Sequence, residues 1–246
     1  MTEFTGVDDR VGKYVFIPGS VERAGVIASH LEGAVHQSSK RDFAWYTATL
    51  AGEPVSVVST GIGECSATMA VEELITHGAR VFLRIGSCAS ASPSCGKGDV
   101  IVASGAARME GASFAYLPAS CPCIPDARFL RLLCQETKKR GYPLRCGVTI
   151  TKDSFFTEVN PQDKPVGQDL VKEWDAFVRA GATTSSMEEA ALFALGRKKG
   201  VRVASIAICA TNFQKVSNDY PGDWENRAIL AGIDAMRVMI GEECHG

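Results

Sequence analysis

Hydrophobic positions along the chain follow two periods, with short apolar runs typical of buried strands and longer stretches that repeat with helical spacing. The clearest example lies at 54–88, where an apolar run leads through Gly61 and Gly63 into an amphipathic stretch. That stretch has the spacing of one buried helix face, formed by Ala67, Ala70, Val71, Leu74 and Ile75. We predict a strand, a glycine turn and a helix here, with Ser66 as the helix cap and Gly78 at the helix end.

The return strand of this βαβ unit, predicted at 81–85, carries a charge inside an otherwise apolar run. Arg84 is that charge, and a buried charge needs a partner. Gly86 and Ser87 follow, and we predict a turn there, at the carboxyl end of the strand, where open α/β sheets bind ligands. The unit as a whole therefore predicts an anion-binding site.

A second strand, turn and helix is predicted near the amino terminus. The apolar run at 14–18 precedes Gly19, and the helix behind it has Arg23 in its first turn. Helix amino termini offer unpaired N–H groups and a partial positive charge, so an anion beside Gly19 and Arg23 is physically reasonable. The alternative, that Arg23 is a solvated surface side chain, stays equally open on these residues alone.

The rest of the chain continues the alternation of strands and helices. Further strands are predicted at 98–103, 145–151 and 201–209, and helices at 126–140, 169–180, 187–199 and 223–240. The polar, proline-containing stretch 156–168 is predicted to be an exposed loop, and loops of that length are often functional. The alternation predicts a single α/β domain over residues 1–246, folded as a three-layer α/β/α sandwich.

Composition narrows the possible functions. The chain has 246 residues, 46% of them hydrophobic, and a net charge of -2 with no long basic run, which argues against a nucleic-acid partner. No apolar run approaches the roughly 20 residues of a membrane span and 1–10 lacks a signal pattern, so we expect a soluble, cytoplasmic protein without a membrane partner. Nine cysteines without a CxxC pair favour reduced thiols, and Cys121, Cys123 and His245 match no common zinc pattern.

A series of motifs carries a resemblance to a known family. In chain order they are IPGSVER, SKRDF, VVSTGIGECSATMAVEEL, RIGSC, ARMEGASFAYLP, KDSFF and SMEEAAL, and they extend from about Tyr14 to Cys209. With these motifs the chain resembles nucleoside phosphorylases of the trimeric or hexameric class, and uridine phosphorylases above all. The resemblance implies the nucleoside phosphorylase fold, in which the central sheet is mixed and partly barrel-like. It also implies a pentosyltransferase that cleaves the N-glycosidic bond of a nucleoside to free base and ribose or deoxyribose 1-phosphate, with inorganic phosphate as co-substrate and no cofactor.

The resemblance assigns five residues to the phosphate. Gly19, Arg23, Arg84 and Ser87 fall where the family contacts phosphate, and Arg41 matches an arginine donated across a dimer interface. A site completed by a neighbouring chain makes a homodimer the smallest competent unit, so the resemblance implies a homodimer or a hexamer.

A cation at the dimer interface is a further implication of the resemblance. Asp42, Ile62 and Ser66 match positions around a potassium ion in a bacterial uridine phosphorylase. A monovalent or divalent cation bound there is therefore a hypothesis for this chain.

The ribose is assigned to the Met-Glu pair of the family, which corresponds to Met187 and Glu188. The Glu188 carboxylate would accept hydrogen bonds from the 2′ and 3′ hydroxyls, and Glu188 and Arg84 are the implied catalytic residues. The residues by themselves leave another interpretation open, in which Glu188 and Glu189 lie on the solvent face of a helix start, where acids are favourable. The glutamate that usually precedes the pair is Ser186 here.

The base half departs from the family pattern. The implied base contacts are Cys88, Ala89, Phe155, Asn212 and Phe213. Phe155 matches a ring that stacks on the base, but the glutamine and arginine that read uracil align with Val159 and Pro161. Phe213 stands where uridine phosphorylases have an arginine, and the catalytic aspartate of the purine enzymes is missing from the segment that contains Asn212. Candidates for a replacement polar or charged group are Lys152, Gln162, Lys164, Gln214 and Lys215.

Three hypotheses follow, in order of preference. The first is a phosphorylase of uridine-like pyrimidine nucleosides with an altered base preference, which the retained arginines favour. The second is a catalytically degenerate homologue that binds nucleoside or phosphate, or forms a heteromer with an active paralogue, which the altered base half favours. The third is a nucleosidase that uses water, which would have apolar residues at the positions of Arg23 and Arg41. A purine nucleoside phosphorylase also ranks below the first.

Overall fold

The computed structural model describes residues 4–212 and 224–244. Its strands are β1 (Tyr14–Phe16), β2 (Glu32–Lys40), β3 (Phe43–Leu50), β4 (Glu53–Val58), β5 (Val81–Ser90), β6 (Val100–Met109), β7 (Leu144–Lys152), β8 (Thr184–Ser186) and β9 (Arg202–Asn212). Its α-helices are α1 (Val21–Ser29), α2 (Glu64–Thr76), α3 (Ala127–Lys139), α4 (Phe155–Val159), α5 (Gly167–Arg179), α6 (Glu189–Lys199) and α7 (Asn226–Cys244). Every predicted strand and helix is present, with ends that shift by a few residues.

The strands of the described chain form one mixed sheet in the order β2-β3-β4-β1-β5-β8-β7-β6-β9. β5 also pairs with β9, which closes β5, β8, β7, β6 and β9 into a barrel. β1 lies between β4 and β5 and runs parallel to both, so these three strands end at the same edge of the sheet. The predicted mixed, partly barrel-like sheet is confirmed.

Helices cover both faces of the sheet. α1, α3 and α7 pack on one face around a core that contains Phe16, Phe129 and Met236. α2 and α6 pack on the other face, where Phe82 and Phe193 are fully or almost fully buried. Because two helical layers enclose the sheet, the predicted three-layer architecture is confirmed.

Three strands are absent from the sequence prediction. β2 and β3 form an antiparallel hairpin at one edge of the sheet, and β3 continues the pairing to β4. β2 is polar and exposed along most of its length, so it shows no alternation of buried and exposed residues. β8 is only 3 residues long, which is too short to show a period.

The predicted loop at 156–168 is wrong in its local structure. α4 and a 3-10 helix at Pro161–Asp163 lie there, and α5 begins at Gly167. Neither short helix has a buried hydrophobic residue, so the segment shows no hydrophobic periodicity from which a helix could be predicted. The segment stays largely exposed, as predicted.

Two local predictions in the 54–88 unit are also wrong. Ser66 does not cap α2, because the helix begins at Glu64 with Gly63 as its N-cap, and the Ser66 hydroxyl instead donates to the Thr60 carbonyl at 2.6 Å. Gly86 is not in a turn, because β5 continues through it alongside β9. Pairing with a distant strand therefore extends β5 beyond the point where the local pattern suggests an end.

A buried acid begins α2. Glu64 is 2% exposed, so its carboxyl group is shielded from solvent. Burial and the neighbouring carboxylate of Glu110 raise the pKa of Glu64 to about 10. The native protein therefore holds Glu64 as a neutral acid that can donate its proton to Glu110.

Two further features bear on the sequence predictions. No helix in residues 4–212 and 224–244 combines the length and hydrophobicity that a membrane span requires. The cysteines whose side chains the structure describes are all free thiols, and four of them are buried: Cys88, Cys95, Cys123 and Cys209.

Candidate active site

A cavity of about 390 Å³ lies beside the carboxyl end of β1, the second half of β5 and the segment between β8 and α6. Nine of the predicted phosphate, ribose and base residues line it: Gly19, Arg23, Arg84, Ser87, Cys88, Ala89, Phe155, Met187 and Glu188. These residues are far apart in the sequence, so the fold brings them together.

The amino end of α1 forms one wall of the cavity. Ser20 is the N-cap, and its hydroxyl accepts a hydrogen bond from the Arg23 amide at 3.2 Å. Gly19 and Ser20 both line the cavity, which therefore lies at the positive end of the helix dipole. The amide of Thr60 donates to the carbonyl of Pro18 at 2.8 Å and ties this turn to the one that follows β4.

Arg84 lies on β5 and is 5% exposed. Its Nη2 donates to Glu188 Oε2, and its Nη1 lies 3.0 Å from Glu189 Oε1. Burial by itself disfavours the charged form, but the Glu188 and Glu189 carboxylates outweigh it and hold the pKa of Arg84 above its ordinary value. The partner that this buried charge requires is therefore a pair of glutamates.

Gly86 makes room for the Arg84 side chain. A Cβ added to Gly86 would lie 1.8 Å from Arg84 Nη1, so the guanidinium occupies the space that any side chain at 86 would need. The backbone of Gly86 is not in the left-handed region, so the close approach, and not the backbone conformation, requires glycine. Ser87 follows as the one exposed residue of β5, and it lines the cavity.

Arg23 is a second cation in the same cavity. Burial lowers its pKa, and repulsion from Arg84 lowers it further, although Glu225 and Glu188 act in the opposite direction. No salt bridge within the described residues includes Arg23, which is only partly exposed. A bound anion would offset the repulsion that Arg84 exerts on Arg23, so the two guanidinium groups form a site suited to an anion.

Glu188 occupies the N-cap position of α6. Its Oε1 accepts a hydrogen bond from the Gly63 amide at 2.9 Å, while its Oε2 accepts from Arg84 and from the Met187 amide. The residue is 5% exposed, so the interpretation of Glu188 as a solvent-facing acid is wrong. Oε1 keeps a free lone pair with which it can accept from a ligand hydroxyl.

Sequence reasoning missed the role of Glu189. This residue is 2% exposed, accepts from the Ser205 hydroxyl at 2.8 Å and from the Ser186 hydroxyl, and contacts Arg84. Ser186, which replaces a glutamate of the family, thus helps to hold Glu189 against Arg84. The sequence did contain a signal for this role, because Glu189 is a second acid next to Glu188 and Arg84 is a charge in an apolar strand that needs a partner.

Of the residues predicted to contact the base, Phe155, Cys88 and Ala89 line the cavity, in a part that we call its base half. Val159 does not line the cavity, and Pro161 lines a smaller neighbouring one of about 160 Å³. Gln162 and Lys164 also lie outside its wall, so the structure does not support either as a replacement contact. The side chain of Asn212 and the predicted residues Phe213, Gln214 and Lys215 lie outside the described residues, as does His245.

Lys152 is the replacement candidate that the fold brings to the cavity wall. It ends β7 and is 4% exposed, and its Nζ donates to the Ser185 hydroxyl at 2.8 Å. Burial lowers the pKa of Lys152 to about 8, although Glu188 favours the charged form. The Glu158 carboxylate also contacts Nζ, so a group of opposite charge lies beside the amine.

Arg41 lies apart from the cavity of its own chain. It occupies the turn between β2 and β3 with a positive φ of 56°, and its guanidinium carbon is 5.8 Å from the centroid of the Phe4 ring. Donation of Arg41 to a neighbouring chain stays a prediction.

The potassium candidates lie close to one another near the turn at Gly61. A Cβ added to Gly61 would lie 2.8 Å from Ser66 Oγ and 3.6 Å from the Asp42 Cβ, and Ile62 is the next residue. Asp42 supplies an exposed carboxylate and Ser66 a hydroxyl, both oxygen ligands suited to a hard cation. No group of three or more His, Cys, Asp or Glu side chains in the described part of the chain is arranged to hold a metal ion, so the cation stays a prediction.

Comparison with known proteins identifies the family of this chain. The model of the Phosphorylase superfamily matches residues 13–233. The chain belongs to the phosphorylase superfamily. A uridine phosphorylase of Treponema pallidum (strain Nichols) is 34% identical to this phosphorylase over 237 residues, which cover 95% of this chain and 92% of the relative.

Two other relatives have similar coverage. A uridine phosphorylase of Thermococcus kodakarensis is 31% identical over 234 residues, 93% of this chain and 83% of the relative. A guanosine phosphorylase of Halorubrum lacusprofundi is 31% identical over 212 residues, 86% of this chain and 83% of the relative. The family resemblance predicted from the motifs is confirmed, and the roles of the individual residues in this phosphorylase stay predictions.

Proposed function

We propose that this protein catalyses the phosphorolysis of uridine, or of a closely related pyrimidine nucleoside, to free base and ribose 1-phosphate. The contact between Arg84 and Glu188 in the cavity wall carries the proposal. This contact places a cation suited to phosphate next to a carboxylate suited to ribose hydroxyls. Phosphate and nucleoside would therefore bind with the attacking phosphate oxygen close to the anomeric carbon. The uridine phosphorylases that are 31–34% identical support a uridine-like substrate.

The residues of the cavity suit each part of this reaction. Arg23, Arg84 and Ser87 would hold the phosphate beside the amino end of α1. Glu188 would accept hydrogen bonds from the ribose hydroxyls and fix the anomeric carbon in front of the attacking phosphate oxygen. As the bond to the base breaks, the sugar gains oxocarbenium character, and the phosphate and Glu188 place negative charge close to it.

The alternatives fit these observations less well. A nucleosidase that uses water needs no pair of arginines in its cavity, whereas Arg23 and Arg84 both line this one. A catalytically degenerate homologue would not need Glu188 and Arg84 aligned and buried, and the comparisons do not support it. The guanosine phosphorylase among the relatives makes a 6-oxopurine nucleoside the second candidate substrate.

One assay tests the proposal. The purified protein is incubated with uridine, thymidine, inosine, guanosine and adenosine, with and without inorganic phosphate, and the free base is quantified. We expect release only with phosphate and fastest release from uridine. Release without phosphate would indicate a nucleosidase, and no release from any nucleoside would refute the proposal.

A matched pair of variants connects the assay to the cavity. Arg84→Ala removes the buried cation, and we expect phosphate-dependent turnover to fall below detection while the native circular dichroism spectrum persists. Arg179→Ala removes an exposed arginine from the last turn of α5 and should leave turnover unchanged. Wild-type turnover in Arg84→Ala would show that the phosphate site lies elsewhere.

A further inference from the structure

Three polar side chains form a buried cluster beside the base half of the cavity. Lys152 Nζ donates to Ser185 Oγ at 2.8 Å and contacts the Glu158 carboxylate, and Ser185 Oγ donates to Glu158 Oε2 at 2.9 Å. The side chains of Lys152 and Glu158 are 6% and 5% exposed. The cluster thus joins the end of β7 to α4 and β8, the elements around Phe155.

The ammonium lies between the expected positions of the ribose and the base. Lys152 Nζ is 5.6 Å from the centroid of the Phe155 ring, on which the base would stack. The same ammonium lies close enough to Glu188 for that carboxylate to raise its pKa. If Glu188 binds the ribose and Phe155 the base, Lys152 would lie beside the bond that breaks.

One N–H group of the Lys152 ammonium is left to donate to a ligand. An ammonium has three N–H groups, and Ser185 and Glu158 account for two of those on Lys152. Lys152 and Ser185 line the large cavity, and Lys152 also reaches the wall of the smaller one, which Glu158 lines. The third N–H of Lys152 is therefore left for a ligand, and a base in the large cavity would be within its reach.

A purely structural role explains the cluster less well. A buried lysine–glutamate pair rarely stabilises a protein more than apolar residues of similar volume, because both charges lose their hydration. The pair in this protein lies in a cavity wall next to an aromatic ring, where a charge can act on a ligand. Val159 and Pro161, at the positions where uridine phosphorylases have their base-reading residues, offer no charge.

We propose that Lys152 is the catalytic residue that binds a carbonyl oxygen of the base and neutralises the charge that develops on the base as it leaves. This inference rests on the proposed phosphorolysis. The carbon–nitrogen bond breaks with its electron pair on the base, while a phosphate oxygen bonds to the anomeric carbon. The base anion takes a proton from the Lys152 ammonium, and solvent then reprotonates the amine. Bases with a carbonyl oxygen that can carry the negative charge are the class that this donor fits.

The test compares two leaving groups of nearly equal shape. The fluorine of 5-fluorouridine makes the departing base a weaker base than uracil, so its departure needs less stabilisation. Phosphorolysis of uridine and 5-fluorouridine is measured for the wild type and for Lys152→Met. We expect kcat/KM for uridine to fall by ~10²–10³-fold in the variant, with a much smaller fall for 5-fluorouridine and no change in the KM for phosphate.

Two further variants control for folding. Lys152→Met with Glu158→Gln removes both charges and leaves no carboxylate stranded, so it separates loss of catalysis from loss of fold. Lys199→Met makes the same substitution at an exposed lysine paired with Glu72 and should behave as the wild type. Both are checked by circular dichroism and thermal unfolding.

The outcomes separate this inference from the proposed function. Suppose that the wild type cleaves uridine with phosphate, and that kcat/KM of the folded double variant falls equally for uridine and 5-fluorouridine or does not fall. The role of Lys152 is then refuted, and the proposed function stands. If the wild type cleaves neither nucleoside, the proposed function fails and the role of Lys152 fails with it. A selective loss on uridine supports both.

Discussion

Gly86→Ala is the most specific perturbation that the structure suggests, because it should act on Arg84 alone. The added Cβ would lie 1.8 Å from Nη1 and 2.6 Å from Cζ of the Arg84 guanidinium. Ordinary contact begins at 3.4 Å, so the difference of 3.4 minus 1.8 requires Nη1 to move by at least ~1.6 Å. Functional groups in catalytic sites tolerate displacements of only about 0.5 Å.

The expected magnitude follows from what Arg84 does. Loss of one preorganised donor to a developing or bound anion typically costs about 10²–10³-fold in rate, or ~3–4 kcal/mol. We therefore expect kcat/KM for phosphate to fall by ~10²-fold in Gly86→Ala. The Gly86 backbone suits alanine, so the fold should persist, although the movement of Arg84 away from Glu188 and Glu189 lowers stability.

Steady-state kinetics with varied phosphate, together with thermal unfolding, measure both effects. Gly105→Ala is the matched control, because it also adds a methyl group to a strand glycine and its nearest neighbour would lie at an ordinary 3.5 Å. In an Arg84→Ala background, which has no measurable turnover, Gly86→Ala should lower the thermal unfolding temperature no further, since its target is already gone. An unchanged kcat/KM for phosphate in Gly86→Ala, or a loss of thermal stability that adds fully to that of Arg84→Ala, would refute the reasoning.

Three other predictions follow from the same geometry. Glu188→Gln removes the charged acceptor for the ribose hydroxyls, so kcat/KM for uridine should fall by ~10²-fold; the fall should be smaller for 2′-deoxyuridine, which lacks one of those hydroxyls, and equal losses would contradict the ribose role. Arg41→Ala and Arg84→Ala should each be inactive alone. If Arg41 completes the site of a neighbouring chain in a twofold dimer, co-expression of the two variants should restore about a quarter of wild-type activity. Absence of recovery would place Arg41 outside the site. Glu64→Gln should stabilise the protein increasingly with pH, because the native chain keeps a proton up to a pKa of about 10 that the unfolded chain loses above 4.5. Urea unfolding at pH 5.5 and 7.5 should show the wild type losing ~1.4 kcal/mol per pH unit relative to the variant, and a difference independent of pH would contradict the assignment.

Much of the site follows from the local pattern. The spacing of apolar residues predicts β4, α2 and β5, and it places Arg84 in a buried strand where it must find a partner. The glycine and serine before Arg23 likewise predict a helix start suited to an anion. Hydrophobic periodicity and capping act over a few residues, so they can be read along a single chain.

Contacts between distant segments could not be predicted in this way. The partner of Arg84 is a pair of glutamates more than a hundred residues further along the chain. The extension of β5 through Gly86 depends on β9, and the contact of Lys152 with Glu158 and Ser185 depends on the closure of the barrel. A buried carboxylate and a solvated one look alike in a sequence, because burial is a property of the packed chain.

The sequence by itself determined the layer architecture and the buried charge in the 54–88 unit, because both follow from short-range periodicity and from an arginine in an apolar strand. The tertiary structure alone decided which carboxylates face Arg84, why residue 86 must be glycine and which lysine reaches the base half of the cavity. Those points depend on distances between segments that only the closed sheet brings together.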